Sequence, residues 1–324
     1  FTADLALLDV FGRFRQDLPP LDMASIKGRV IATERVIKDY RYLPNLFGQT
    51  GHSLAVENLT MQTRDGKVLP ATSVRETYIP ATTNKAERVE LYAKSLDLQS
   101  IANFAEHLPL PSDQRRLLID VAPKGFLKEF TARWQGSFPD ISSYSIEGEF
   151  SDLEMRPLKA QLARPKTQKQ AARAGIPAIP GFDNLSGHIS ATDTGGRLRL
   201  DSSNLKLQLP SYFVDPEMPF ERFVLRAKWE IRSNQDLHFE IQDLNFEQNG
   251  AKGQLVGTHR RSLIQYDLGE LNLRGELDGF DLRKITRYVP EKSPEHLRHW
   301  LSNALMEGSA NNVQFSLRGR LQDF

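Results

Sequence analysis

The side chains that could bind a metal or transfer protons are dispersed along the sequence. The chain has seven histidines, and of these only His296 and His299 would share one face of a helix. A helical metal pair is normally completed by a third ligand and by hydrogen-bonding partners behind the ligands. Glu295 would lie on a different helical face and does not complete the pair. We therefore predict no metal site.

Motifs for catalysis are missing as well. The sequence contains no G-x-S-x-G elbow, no Walker loop, no G-x-G-x-x-G and no H-E-x-x-H. With zero cysteines it has no disulfides, no thiolate metal ligands and no cysteine nucleophile. Glycoside cleavage needs two facing carboxylates, and nothing marks such a pair among the 41 acidic residues. We predict that the chain is not an enzyme and uses no cofactor.

The overall charge argues against a nucleic-acid-binding protein. The 42 Lys and Arg residues nearly cancel the 41 Asp and Glu residues, leaving a net charge of +1, whereas nucleic-acid-binding domains cluster basic residues. A hydrophobic content of 40% is that of a folded protein. No run approaches the ~18 apolar residues of a membrane helix. Because the chain opens on Phe1-Thr2-Ala3-Asp4, without an initiator Met or a signal pattern, we expect it to be a piece of a longer protein.

The elements that must position any site are β-strands, because apolar and polar residues alternate along most of the chain. In Asn204-Leu205-Lys206-Leu207-Gln208-Leu209 every second residue is leucine, so three leucines share one face of a strand. The turn signals Asp65-Gly66, Thr194-Gly195-Gly196 and Asn249-Gly250 suit hairpins. The pattern predicts an antiparallel meander. The same alternation occurs at Val89, Leu91 and Ala93, at Phe126, Lys128, Phe130, Ala132 and Trp134, at Phe223, Leu225, Ala227, Trp229 and Ile231, at Leu271, Leu273 and Leu277, and at Val313, Phe315, Leu317 and Leu321.

Helical spacing appears in two places only. One stretch follows Asp97, a plausible N-cap, and continues from Ser112 to Ile119 after a Pro-rich break. The other begins after Asp281 and resumes at Ser293-Pro294, with Ser as N-cap and Pro at the first helical position. We expect these helices, near 98–119 and 282–305, to be rim elements or lids, with Trp300 and Leu301 packing one of them onto the sheet.

The two helical stretches belong to an internal repeat. Asp97-Leu98 matches Asp281-Leu282, Leu108-Pro109 matches Val289-Pro290, and two glycine pairs follow at nearly the same offset. Leu59 and Leu244 also correspond, each at a point where the alternation slips by one residue, as at a β-bulge. Repetition of this kind favours an array that shares one continuous sheet. We predict a first unit over 1–155, a basic Pro-containing linker or loop over 156–179, and a second unit over 180–324.

The segment 156–179 has six basic and no acidic residues. Such a segment could contact anionic lipid headgroups or another polyanion. We favour a solvated loop because the segment has neither interleaved aromatic residues nor an amphipathic pattern.

The alternating apolar faces admit two interpretations. Alternation alone favours two faces packed together as a sealed sandwich core. The repeat and the shortness of the helices favour instead a long, twisted and curved antiparallel sheet whose apolar face forms an open hydrophobic groove. A groove walled by leucine, phenylalanine, valine and tryptophan would suit acyl chains, which gain ~0.8 kcal/mol for each CH₂ removed from water.

Several segments resemble the YhdP family of AsmA-like proteins of Gram-negative bacteria, which are more distantly related to TamB. The resemblance covers essentially the whole chain and is strongest from 179 onward. It rests on Ile179-Pro180-Gly181-Phe182-Asp183-Asn184-Leu185-Ser186-Gly187, Gly195-Gly196-Arg197-Leu198-Arg199-Leu200-Asp201-Ser202, Leu207-Gln208-Leu209-Pro210, Arg287-Tyr288-Val289-Pro290, Leu297-Arg298-His299-Trp300-Leu301 and Leu317-Arg318-Gly319-Arg320-Leu321-Gln322-Asp323-Phe324. These motifs are structural landmarks and indicate no catalytic residue.

The resemblance implies a segment of a periplasmic protein tethered to the inner membrane by a part absent from this sequence. Such proteins are thought to carry phospholipids toward the outer membrane along a taco-shaped β-groove, with protein partners at either membrane unknown. A structural scaffold without lipid conduction and a polysaccharide-acting β-solenoid enzyme are the alternatives. Our candidate lipid-binding residues are the apolar members of the alternating runs: Leu205, Leu207, Leu209, Phe223, Leu225, Trp229, Leu271, Leu273, Val313, Phe315 and Leu317.

Overall fold

The chain folds mainly into β-strands, as the alternation predicts. A computed structural model describes residues 1–13, 15–35, 51–108, 112–136, 141–158, 180–209, 213, 215–233, 235–264, 269–289 and 293–320. In these residues fourteen strands form one open antiparallel sheet that is not closed into a barrel. The predicted antiparallel meander with a few short helices is confirmed.

The strands follow each other in the sheet in chain order, except that the last strand pairs with the thirteenth. They are β1 (Thr2–Gly12), β2 (Leu21–Arg35), β3 (Gly51–Thr63), β4 (Val68–Ile79), β5 (Arg88–Asp97), β6 (Lys124–Gln135), β7 (Ser143–Met155), β8 (Gly181–Thr192), β9 (Gly195–Gln208), β10 (Glu217–Ile231), β11 (Asp236–Gln248), β12 (Ala251–Ser262), β13 (Glu270–Asp278) and β16 (Val313–Arg320). The short strands β14 (Phe280–Asp281) and β15 (Ser309–Ala310) pair separately.

Three α-helices and two 3₁₀ segments interrupt the described strands. They are α1 (Leu98–Asn103), a 3₁₀ turn at Ala105–His107, α2 (Ser112–Val121), a 3₁₀ segment at Leu282–Tyr288 and α3 (Glu295–Ala304). One set lies between β5 and β6 and the other between β13 and β16, and in both cases the flanking strands pair with each other. Each set is therefore an insertion in a hairpin connection.

The turn signals at Asp65-Gly66 and Asn249-Gly250 and both bulge signals are confirmed, whereas Gly195 and Gly196 begin strand β9 and the turn before it consists of Asp193 and Thr194. Asn249 and Gly250 both have positive φ, 52° and 84°, as the two central residues of a type I′ hairpin turn require. The strand register shifts between Val56 and Leu59 and again between Ile241 and Leu244. These are the two places where the alternation of the sequence slips by one residue.

The predicted helical starts after Asp97 and Asp281 are confirmed, and the predicted start at Ser293 differs from the structure. The Asp97 carboxylate accepts hydrogen bonds from the backbone N–H groups of Gln99 and Ser100, so it caps α1 as predicted. At α3 the prediction was wrong by one position, because Pro294 is the N-cap residue and no side chain caps the helix. Trp300 was expected to pack α3 onto the sheet, but it is 61% exposed.

By its contacts the chain divides into two compact units. One comprises Phe1–Ile119, Lys124–Ser151 and Gly187–Leu198, and the other Asp120–Pro123, Asp152–Ser186 and Arg199–Phe324. The limits of the two units fall within helix α2, between α2 and β6, and within strands β7, β8 and β9. Most of the predicted linker, 159–179, lies outside the described residues, and the predicted boundaries remain a prediction.

The core of the first unit forms where the helical insertion meets one face of the sheet. Phe104, which follows α1, is 1% exposed and packs with Leu21 and Met23 of β2 and with Met61 and Leu69 of the two following strands. Such a contact removes a whole aromatic side chain from water and holds the insertion against the sheet.

Candidate functional site

Strand register brings most of the candidate residues onto one face of the second unit. Phe223, Leu225 and Trp229 of β10 share a face with the β11 residues opposite them, and the pairing continues through β12 to β13 and β16. Leu273 lies opposite Leu317 in the last pair. We call the face that carries Phe223, Leu225, Trp229, Leu273 and Leu317 the apolar face. The residues that alternate with them along the same strands form the polar face.

Residues that lie directly opposite one another on neighbouring strands form a row across the sheet. Two such rows show how continuous the apolar face is. One row across five strands contains Leu225, Leu244, Leu255, Gly275 and Phe315, and the next contains Ala227, Ile241, Gly257, Leu273 and Leu317. Within a row, directly opposed residues have Cβ atoms ~5 Å apart. An acyl chain lying on this face would therefore meet apolar surface on every strand.

The candidates differ in how much of their surface remains accessible. Phe315 is 42% and Leu317 is 37% exposed, whereas Phe223 is buried. Leu225, Trp229, Leu271, Leu273 and Val313 are half-buried. The accessible end of this face therefore lies toward β16.

The three candidate leucines of β9 are less accessible. Leu205 has no exposed surface, and Leu207 and Leu209 are half-buried. β9 is the neighbour of β10 in the sheet. Leu205 consequently contributes to packing inside the second unit and has no surface to offer a ligand in this conformation.

Sequence reasoning missed the contributions of β11 and β12 to this face. Phe239, Ile241, Leu244 and Phe246 occupy it, but the bulge after Ile241 hides their alternation. On β12 the alternation of apolar and polar residues is interrupted by glycine, because Gly257 occupies the apolar-face position opposite Leu273. A Cβ on Gly257 would come within 2.5 Å of the Leu273 side chain, so glycine leaves room for that leucine to lie across the strand.

The polar face of the same strands carries ion pairs and polar hydrogen bonds. Lys228 contacts Glu240 at 3.0 Å, Lys252 contacts Glu247 at 3.4 Å, and Gln314 donates a hydrogen bond to Glu276. Val256 is an exception, an aliphatic residue that is 46% exposed between Gln254 and Thr258. The two faces therefore differ sharply in chemistry, as expected of a sheet with one side in water.

The 3₁₀ segment at Leu282–Tyr288 closes one end of the apolar face. The Tyr288 hydroxyl donates a 2.7 Å hydrogen bond to Gln248, which is buried at the end of β11, and the Tyr288 ring contacts Phe280 edge-on. Arg287 bonds the Glu217 carbonyl and pairs with Asp215, each at 2.8 Å. The segment is thus attached to the start of β10 as well as to β11.

Two pKa shifts accompany this closure. The Arg283 guanidinium, hydrogen-bonded to Asp281, lowers the pKa of that carboxyl to about 2. Asp281 also accepts a hydrogen bond from the backbone N–H of Arg283 and so begins the 3₁₀ segment. Burial raises the pKa of the Tyr288 hydroxyl, so it stays protonated as a donor to Gln248. Both groups hold structure in place.

The first unit has a comparable face with a more polar end. Val30, Val56, Val74, Ala93 and Phe130 form one row across β2 to β6. Two rows further on lie His52 and Tyr78, and the intervening row contains Glu76, whose carboxylate is 3.0 Å from His52. In this unit, therefore, the row nearer the helical insertion is apolar and polar residues lie toward the other end of the strands.

The described residues offer few groups for other chemistry. No three or more His, Asp or Glu side chains among them come together as a metal site. His299 of the candidate metal pair is hydrogen-bonded to Asn303. Among the described helices none is long and apolar enough to cross a membrane.

Comparison with known proteins gives one match that covers nearly the whole chain. The model of the family described as YhdP protein matches residues 2–324. No curated protein and no solved structure matches the chain. A match of this extent, over the repeated strands and both helical insertions, shows that the chain belongs to the YhdP family.

Proposed function

We propose that the chain is a segment of a bridge-like lipid transfer protein that carries phospholipids between the inner and outer membranes along a hydrophobic groove. The observation that carries the proposal is the pair of apolar rows that cross five strands of the second unit, in which Phe315 and Leu317 remain exposed. Among the described residues no second sheet of comparable size is present to cover that face. Conduction along such a face needs no covalent chemistry and no cofactor.

The energetics favour acyl chains as the ligand. Each CH₂ group removed from water contributes ~0.8 kcal/mol, so ten methylenes on the apolar rows would contribute about 8 kcal/mol before ordering costs. A sugar would need hydrogen-bonding groups, yet the two central rows consist of aliphatic, phenylalanine and glycine residues. The apolar face thus supports a lipid ligand over a polysaccharide.

The proposed location follows from the family. Membership in the YhdP family supports an AsmA-like protein of the cell envelope, and we propose the periplasm, with a tether to the inner membrane in the full-length protein. The absence of cysteine is compatible with that oxidising compartment. In this arrangement the acyl chains lie on the apolar face and the headgroups remain in water.

A scaffold for outer-membrane assembly is the second candidate. The observation that favours it is the exposed apolar side of α3, where Leu297 and Trp300 lie one turn apart and Met306 follows. Exposed apolar residues grouped in this way are typical of protein interaction sites. A scaffold would bind a protein through α3 and would carry no lipid on the sheet.

Photocrosslinking in cells tests the proposal. A photoreactive residue at Leu273, or at Leu207, should capture phospholipid, because both leucines are half-buried on strands that line the second unit. Val256 is the matched control, an exposed aliphatic residue on the polar face of the neighbouring strand. Labelled phospholipid at Leu273 and none at Val256 supports the groove. Labelling of protein alone, at Leu273 and at Leu317, would refute it.

A further inference from the structure

An arginine-rich depression lies at the end of the second unit farthest from the 3₁₀ segment. It is lined by Arg232 at the end of β10, by Arg260 and Arg261 at the end of β12, and by Arg320 at the end of β16. Two carboxylates, Asp236 and Glu270, line it as well. Four guanidiniums against two carboxylates give this end a local excess of positive charge, although the whole chain carries only +1.

Three of these arginines have no ion-pair partner among the described residues. In the part of the chain that the structure describes, Arg232, Arg260 and Arg261 make no salt bridge, whereas Arg29 and Arg88 of the first unit each pair with an acid. The depression also includes His238, whose buried Nε2 has no hydrogen-bond partner among the described residues. Exposed guanidinium groups without an acidic partner, gathered around one depression, are suited to bind an anion.

Backbone hydrogen bonds connect the strand ends that carry the arginines. The N–H of Arg232 donates to the Asp236 carbonyl at 3.0 Å, which closes the turn between β10 and β11, and the N–H of Leu263 donates to the Gln235 carbonyl at 2.9 Å. This second bond ties the end of β12 to the same turn. The side chains therefore extend from a connected edge of the sheet.

Register relates the depression to the apolar face. Arg260 lies opposite His238 on the polar face, while Arg261 lies opposite Leu237 on the apolar face. Along β12, Arg261 is two residues beyond His259, which shares a row with Trp229 and Leu271. Two residues of a strand span about 7 Å, so a ligand on that row would reach the guanidinium with its polar end.

We propose that Arg232, Arg260 and Arg261 form a binding site for a phosphate oxyanion, contributed by the headgroup of a phospholipid whose acyl chains lie on the adjacent apolar face. The inference rests on the proposed function and adds the headgroup chemistry. From Gly253 to His259 the apolar face extends six residues along β12, about 20 Å. The hydrocarbon of one leaflet, half of a ~30 Å bilayer core, is about 15 Å thick. An acyl chain laid along the strand thus fits between the closed end and the arginines.

The guanidinium group suits this role. It keeps its charge at any physiological pH and presents donors in a planar fork that matches two phosphate oxygens. The side chains of Arg260 and Arg261 leave the same strand end on opposite faces, so we place the phosphate beyond that end of the strand, where both can approach it. A neutral lipid without phosphate would lack this contact and would leave the guanidiniums unpaired.

Calorimetric titration of the whole chain tests the proposal with three probes. These are dihexanoylphosphatidylethanolamine, dihexanoylglycerol with the same chains and no phosphate, and inorganic phosphate. The variant is Arg260→Gln with Arg261→Gln, and the matched control is Arg226→Gln with Arg274→Gln, which removes the same charge from the polar face of β10 and β13. We expect the variant to bind the phospholipid about tenfold more weakly, a loss of ~1.4 kcal/mol, with the binding of dihexanoylglycerol unchanged. The control should match the unmodified chain with both lipids.

The outcomes separate the inference from the function on which it rests. If both lipids bind the unmodified chain and the variant binds the phospholipid equally well, the arginine site is refuted and the lipid function stands. If neither lipid binds the unmodified chain, the lipid function fails. Arginine-dependent binding of inorganic phosphate alone would then show an oxyanion site and refute the headgroup as its source.

Discussion

An aspartate at Leu317 should be tolerated by the fold, and an aspartate at Leu205 should not. Both leucines belong to the candidate lipid-binding set, but Leu317 is 37% exposed at the edge of the sheet and Leu205 is fully buried. The same substitution, leucine to aspartate, therefore compares the stability cost at an accessible and at an enclosed apolar position of one unit.

The expected magnitudes follow from these exposures. Complete burial of a leucine is worth ~1.5–3 kcal/mol, so losing the buried two thirds of Leu317 should lower the free energy of unfolding by about 1–2 kcal/mol. Its carboxylate can still reach water. At Leu205 the lost packing costs ~2–5 kcal/mol, and an unpaired buried charge adds several more. That total is comparable to the ~5–15 kcal/mol stability of a typical domain.

Urea denaturation followed by circular dichroism distinguishes the two cases. The Leu317→Asp chain should unfold at slightly lower urea and should retain less co-purified lipid than the unmodified chain. The Leu205→Asp chain should be largely unfolded without denaturant. If Leu317→Asp is as destabilising as Leu205→Asp, the apolar face is a sealed core and the argument for an open groove fails.

Three further predictions concern the helical insertions and the glycine of β12. Phe104→Ala should destabilise the first unit by ~3–5 kcal/mol, while Trp300→Ala, at an exposed site, should change the urea midpoint little; equal effects would contradict the proposed seating of Phe104. Gly257→Ala should cost ~1–3 kcal/mol by crowding Leu273, with Gly12→Ala, in open space, as its control. The lowered pKa of Asp281 means that its ionised form favours folding. Asp281→Asn should therefore be less stable than the unmodified chain at pH 6, with the difference disappearing as pH falls from about 4 through 2; a difference that persists below pH 2 would contradict the assignment.

Much of the fold could be read from local patterns. Alternation at Leu271 and Leu273, the turn pair Asn249-Gly250 and the slip before Leu244 each reflect short-range geometry, and all three are found as predicted. At Pro294 the local rule failed by one residue, a small difference because helix ends vary by one or two positions. Trp300 could not be placed because the direction of a helical face depends on what packs against it.

By itself, the sequence determined which residues alternate, where the strands turn and that the pattern is repeated, because these depend on backbone geometry within a few residues. Only the tertiary structure decided that eight candidates from three strands share one face, since register joins residues far apart in the chain. It also decided that Leu205 is enclosed while Leu317 is accessible. Two leucines with the same local pattern differ in exposure because burial is set by the strands around each of them.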